Sequence, residues 1–198
     1  LKLIHGHALS SWQAPLQQQA TSSFSLQCNW KMAHDNTLDD YHVAIAHPTT
    51  LHREQGPVRD YRHLMADLGN ALVTPHPEGG LFFTFGLAPW THVLIWPDGR
   101  IALLEFLPLQ LDCCQLQLRL FASSAQPLDV EIWKQQLLEF LQEDRRLIES
   151  VQRGSHPDWA PGPAHQLEQR IVQWQQLYRR LLDAAQLSHS SRSQIAIN

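Results

Sequence analysis

Apolar and polar positions along the chain fall into two regimes, short alternating runs in the middle and long periodic stripes towards the end. The runs at 81–85 and 92–96 are strand-length and apolar, and Gly and Pro bound them. Pro97-Asp98-Gly99-Arg100 separates Trp96 from a further apolar run at 101–106, which predicts a hairpin because Gly99 can take the conformation a tight turn needs. Leu116, Leu118 and Leu120 alternate with Gln115, Gln117 and Arg119, the period of a strand with one wet face. Residues 23–28 alternate in the same way. Neighbouring strands with short connections pair most simply as an antiparallel meander.

Residues 129–154 read as a helix, with Pro127 and Asp129 as start signals and Gly154 as the stop. Its apolar stripe runs Trp133, Leu137, Phe140, position 144, Leu147 and Val151, in steps of four and three. A last helix over about 164–185 carries Leu167, Ile171, Trp174, Tyr178 and Leu181 on one face. Residues 1–22 give no clear period, with candidate strands only at 1–5 or 9–12, and 187–198 reads as a loose tail. From Pro48 to about Arg59 the chain is polar and irregular, and 61–72 carries a short helical pattern. That excursion beside His47 suits either a lid over a pocket or a plain surface loop. Strands followed by long helices predict a single α+β domain over 1–198, an antiparallel sheet with long helices on one face.

Position 144 of the stripe is Asp. A carboxylate in the middle of a core-facing stripe is costly to bury unless it is paired or coordinates a metal, and Arg145 and Arg146, one and two positions on, point elsewhere. A hydrogen bond to a backbone group or a Tyr is the alternative. The segment 28–48 supplies matching chemistry. If it is helical, Asp39 and His42 lie three apart on one face, where side chains touch. His47, five beyond His42, sits about 140° further round, so both reach one ion only if the helix bends or ends between them. Pro48 favours such an end, since the residue before a proline leaves the helical region. Asp40 competes with Asp39 for any role, and spacing favours Asp39. With twelve His in the chain, chance pairs also arise, and His5/His7 is one to which no chemistry is assigned.

Asn29-Trp30-Lys31, then Asp35-Asn36, then Asp39 three before the pair Tyr41-His42, then His47, resembles the iron-binding segment of the ring-hydroxylating (Rieske-type) oxygenase α subunits. Asp35 stands where many members carry Glu. The run 143–154 resembles that family's second signature, about a hundred residues later and in the family's order. The resemblance spans roughly residues 22 to 185. It implies a helix-grip catalytic domain around a mostly apolar pocket, which Phe82, Phe85, Leu94, Trp96 and Phe106 are candidates to line. It further implies a mononuclear Fe(II) held by His42, His47 and Asp144, with Asp39 orienting His42 and leading electrons inward. Two His and one carboxylate on one side of a metal leave open positions, an arrangement associated with non-haem Fe(II) oxygenases. The resemblance also implies that the chain hydroxylates a small organic, commonly aromatic, substrate with O2. It implies too that electrons come from NAD(P)H through a reductase and a Rieske [2Fe-2S] cluster, in a homotrimer whose cluster often belongs to the neighbouring subunit. The rivals are a Zn-dependent hydrolase on the same ligands and a metal-free helix-grip module holding an apolar ligand.

Composition changes this picture in two places. A net charge of -4 without a clustered Lys/Arg patch argues against a nucleic-acid partner, and no apolar run approaches the ~20 residues that span a bilayer. Three Cys, two of them adjacent, do not make a disulfide framework and suit a reducing cytoplasm. No Cys-x-His or Cys-x-x-His pair occurs in these 198 residues, so this chain has no ligands for a Rieske cluster, which needs two Cys and two His. The expectation is therefore the C-terminal catalytic part of a longer polypeptide whose cluster domain lies upstream or has been lost.

Overall fold

The computed structural model describes residues 15–124, 128–156 and 162–195, with the single positions 4, 6 and 158; for 187–195 it describes the backbone alone. The candidate strands at 1–5 and 9–12, the His5/His7 pair and Pro127 fall outside those residues, Ile4 excepted.

Seven antiparallel strands form one sheet in the order β1-β7-β6-β5-β4-β3-β2. They are β1 (Leu16–Leu26), β2 (Arg62–Ala66), β3 (Gly69–Pro75), β4 (Leu81–Leu87), β5 (Thr91–Ile95), β6 (Ile101–Gln110) and β7 (Cys113–Ser123). The helices are α1 (Trp30–Leu38), α2 (Val43–Ala46), α3 (His52–Gln55), α4 (Val130–Gly154) and α5 (Gln169–Ile195). Every strand from β2 to β7 pairs with its neighbour in sequence, which is the expected meander, and β1 completes the sheet against β7. At the predicted hairpin Gly99 has φ 88° and Trp96 N–H donates to the Arg100 carbonyl at 3.0 Å. Inward Leu116, Leu118 and Leu120 of β7 are fully buried, and with Leu94, Leu104 and Phe106 they meet Trp30, Trp133, Leu137, Phe140 and Trp174 of the helices. The helices thus cover one face, in the helix-grip manner of an α+β domain. A second, smaller core of Ala71, Val73, Phe83, Phe85, Val93 and Ile95 lies on the other face. Phe85 belongs to it, so Phe85 does not line a pocket under the helices.

Four expectations need correction. β1 starts at Leu16, inside the stretch expected to be irregular. Its Gln, Ser and Thr side chains hide the strand period, and pairing with β7 supplies the order, including side-chain bonds from Gln19 to the Ala122 carbonyl and Thr21 to the Leu118 carbonyl. Residues 61–72 form no helix but the β2–β3 hairpin; Leu64, Met65 and Ala66 favour helix locally, and the sheet edge overrides that weak preference. The buried stripe of α4 is Trp133, Leu137, Phe140, Leu141, Asp144 and Ile148, while Leu147 and Val151 are exposed. A strict seven-residue stripe drifts around a helix of 3.6 residues per turn, and the core follows the helix. Lastly, α5 runs on to Ile195 through the supposed tail, which holds no Gly or Pro to stop it. It leaves the core after Tyr178, so Leu181 is exposed.

Candidate metal centre

The junction of β1 and α1 is fixed first. Asn29 caps α1 by accepting from Lys31 N–H at 3.0 Å, and its own N–H donates to Gln152 of α4 at 2.8 Å. Helix α1 then ends at Leu38, with Asp39 extended at ψ 94°. Asp39 and His42 therefore do not share a helical face. Instead His42 opens and His47 closes the single turn of α2, where His47 leaves helical geometry at φ -124°, ψ 45° just before Pro48. Both imidazoles sit at helix ends, and the ~140° separation of a straight helix does not apply.

Asp144 projects from the middle of α4 into the same place. Its Oδ1 lies 2.8 Å from His47 Nε2, 3.4 Å from His42 Nε2 and 2.7 Å from the Asn36 amide nitrogen, which donates to it. One donor atom of each of His42, His47 and Asp144 falls within a sphere of mutual distances below 4.8 Å. Asp144 and His47 are buried. The alternative of a backbone or Tyr partner for Asp144 does not hold. Two imidazole nitrogens and one carboxylate are a donor set that would suit a divalent transition metal.

Each imidazole turns its other nitrogen outwards. His42 Nδ1 lies 2.5 Å from the backbone carbonyl of Asp39 and 3.6 Å from its carboxylate, so the carbonyl rather than the expected side chain makes the short contact. The Asp39 carboxylate accepts from Tyr41 N–H at 3.1 Å. His47 Nδ1 lies 2.7 Å from Glu143 Oε2, which also accepts from the Thr50 hydroxyl at 2.9 Å. Burial alone lowers the basicity of His42, but the hydrogen bonds and charges of Asp144 and Asp39 outweigh it and push the imidazole up to about 10. His47 is opposed by burial and raised by Asp144 and Glu143, and burial of Asp144 is outweighed by the two imidazoles, which hold its carboxyl below the usual range. The site is built around a carboxylate that calls for a cation.

Two cavities meet here. The inner one, about 30 Å³, lies between His42 and Asp144 and a wall that includes Thr84, His92, Leu94 and Leu104. Its free space suits one or two waters. The outer one, about 560 Å³, is lined by Trp96, Trp133, Arg100, Glu54 and neighbours, and Leu51 and Phe140 border both. That larger volume is in the range of small-molecule sites, which run from about 300 to 1,000 Å³. The excursion after Pro48 supplies Thr49, Thr50, Leu51, Arg53 and Glu54 to its wall.

Asp40 does something quite different from Asp39. It is buried, accepts from Arg170 Nη1 at 2.6 Å, and lies 2.9 Å from His63 Nε2. Arg170 is fully buried and also donates to Asn70 Oδ1 at 2.8 Å and Thr84 Oγ1 at 3.0 Å. This network locks the segment between α1 and α2 to β3, β4 and α5. Sequence patterning missed Arg170, Asn36 and Glu143. Arg170 stands beside the apolar stripe of α5 and gave no signal, whereas Glu143 adjoins Asp144 in the second signature.

Comparison with known proteins agrees with this geometry. The family described as "Ring hydroxylating alpha subunit (catalytic domain)" matches residues 13–184, and the chain belongs to that family. Among solved structures, a quaternary ammonium Rieske monooxygenase studied for carnitine oxidation by gut microbiota is similar at 20% identity and TM-score 0.74, over 90% of this chain and 53% of that one. Pseudomonas putida CBB5 NdmA with caffeine is similar at 17% identity and TM-score 0.68, over 89% of this chain and 55% of that one. At these identities the likeness shows a shared fold, and the chain spans about half the length of the structures it matches. No curated protein sequence matches it. Among the described residues, no helix is long and apolar enough to cross a membrane.

Proposed function

We propose that this chain is the catalytic domain of a Rieske-type oxygenase, in which His42, His47 and Asp144 hold one Fe(II). The observation that carries the proposal is the meeting of three donors from two distant segments of the chain, two of them lining a cavity. Bound there, Fe(II) would supply the redox chemistry that activates O2 for insertion into an organic substrate. The chain's own contribution is geometric. Nδ1 contacts fix both imidazoles so that Nε2 faces inwards, and Asn36 restrains the Asp144 carboxylate. The substrate, a small organic molecule and on the family pattern an aromatic one, enters the outer cavity, where Trp96 and Trp133 give it apolar faces and Leu51 and Phe140 separate it from the inner chamber. Apolar Leu94 and Leu104 limit the water that accompanies it.

Electrons enter at Asp39. Its side chain is 24% exposed, next to the half-exposed Tyr41, while its carbonyl touches His42, so one residue faces both solvent and site. Their source is NAD(P)H through a reductase and a Rieske [2Fe-2S] domain, which a neighbouring subunit of a homotrimer would present. The three free cysteines suit a cytoplasmic setting.

Anaerobic reconstitution with Fe(II) tests the site: the wild-type chain should take up one iron, and His42→Ala, His47→Ala or Asp144→Ala should take up none. Unchanged stoichiometry in all three variants removes the assignment. Preference for Zn with hydrolysis, and no reaction with O2, favours the hydrolase. For the electron route, Asp39→Asn in a protein that carries its cluster domain should keep its iron and lose NAD(P)H-driven hydroxylation.

A further inference from the structure

We propose that Glu143 is a positioning residue for the metal centre, setting the tautomer and donor strength of His47. The inference rests on the reading of His42, His47 and Asp144 as metal ligands and goes beyond it. Consecutive helical residues point about 100° apart, so Glu143 and Asp144 of α4 approach one imidazole from two sides. Asp144 takes Nε2 at 2.8 Å and Glu143 takes Nδ1 at 2.7 Å.

The carboxylate is itself held. Thr50 Oγ1 donates to the same Oε2 at 2.9 Å, and Thr50 N–H donates to the His47 carbonyl at 3.2 Å, so the turn after Pro48 wraps the imidazole and its acceptor together. With Glu143 accepting, the Nδ1 proton stays on the outer nitrogen and the Nε2 lone pair is free for an ion. A carboxylate acceptor also draws that proton towards itself, which makes Nε2 a stronger donor than it would be beside a neutral acceptor.

The two imidazoles are unequal in this respect. The close outer partner of His42 is the neutral carbonyl of Asp39, with the carboxylate 3.6 Å away, while His47 has a carboxylate in direct contact. Glu143 rather than Asp39 is thus the acid that tunes metal affinity, and the two ligands contribute unequal fields to the ion.

The test uses the full 198-residue chain, with Fe(II) affinity read by competition against a chelator and ligand field read from the visible spectrum of the Co(II)-loaded protein. Glu143→Gln keeps the acceptor and loses the charge, and should weaken Fe(II) about 10-fold; Glu143→Ala loses both and should weaken it about 100-fold, the span usual for such partners. Glu143→Asp should recover part of the loss. Glu143→Gln should also shift the Co(II) bands and move the His47 Nδ1 proton upfield in the NMR spectrum of Zn(II)-loaded protein, which a merely structural defect would not do. The Glu143 side chain is 35% exposed, so these variants should fold, and circular dichroism checks that. Wild-type affinity and an unshifted Co(II) spectrum in both Glu143→Gln and Glu143→Ala overturn the proposal and leave the metal site standing. A wild-type chain that takes up neither Fe(II) nor Co(II) overturns both.

Discussion

His47 and Asp144, 97 positions apart in the chain, meet with Nε2 2.8 Å from Oδ1 inside the protein. Neither residue alone accounts for its burial. A carboxylate and an imidazole can both be taken out of water when each meets the polar group it would otherwise lack, and here a second imidazole and the Asn36 amide complete the set.

That arrangement predicts the behaviour of His42 in the metal-free chain. Asp144 is the main reason its imidazole rises to about 10 against burial. Histidine NMR titration should find His42 protonated at pH 7.5 in the wild type and its titration moved to lower pH in Asp144→Ala, where burial is opposed by Asp39 alone. A ring that titrates alike in both proteins rules out the contact.

Acid should destabilise the fold through two other histidines. Burial, with Arg170 nearby, lowers His34 to about 3 and His92 well below its ordinary value, so both stay neutral when folded. Below the unfolded value of about 6.5, the unfolded chain takes protons that the folded chain refuses. Their contribution is complete above pH 6.5 and is lost as pH falls from there towards 3, at about 1.4 kcal/mol per pH unit for each group. Urea unfolding between pH 7 and 5 should show a slope reduced by about that amount in His34→Gln. An identical slope in the variant would mean that His34 does not stay neutral.

The Arg170–Asp40 pair should behave as a buried one. Arg170→Met strands the Asp40 carboxylate and should cost about 3–5 kcal/mol of stability, while Arg170→Met with Asp40→Asn should cost less than the sum of the two single changes. Denaturant unfolding of all four proteins measures the coupling, and simple additivity would place the pair in water.

Gly86 reports on the packing that holds α1 in place. A Cβ there would stand 2.4 Å from Leu38 Cδ2 and 2.9 Å from Asn70 Oδ1. Gly86→Ala should therefore cost about 1–3 kcal/mol, the usual effect of overpacking. Because Leu38 immediately precedes Asp39, Fe(II) affinity should fall as well. A thermal melt and metal titration matching the wild type would show that β4 and α1 are not in contact.

Much was already decided by local pattern. The four-strand run from 81 to 123 and its hairpin at Gly99 follow from alternation and turn chemistry, because each strand pairs with its neighbour across a short connection. The bounds of α4 follow from Asp129, which caps it by accepting from Ile132 N–H at 3.0 Å, and from Gly154. The odd carboxylate in its stripe pointed to Asp144, and the resemblance of 28–48 to an iron-binding segment pointed to Asp39, His42 and His47.

What the chain order could not carry is anything that depends on a distant partner. Only 23–26 of β1 alternates legibly; 16–22 is strand because β7 offers it a ladder, and its polar residues do not announce it. The β2–β3 hairpin replaces a local helical preference because β4 sits beside β3. Arg170 is buried because Asp40, Asn70 and Thr84 converge on it from three other elements. Glu143 has its role because the turn of Thr50 brings His47 against it. Sequence by itself determined which residues have ligand chemistry and which helix carries the carboxylate. Tertiary structure decided which nitrogen faces inwards and what holds it there, since hydrogen bonds between residues a hundred positions apart exist only once the sheet and its helices have closed.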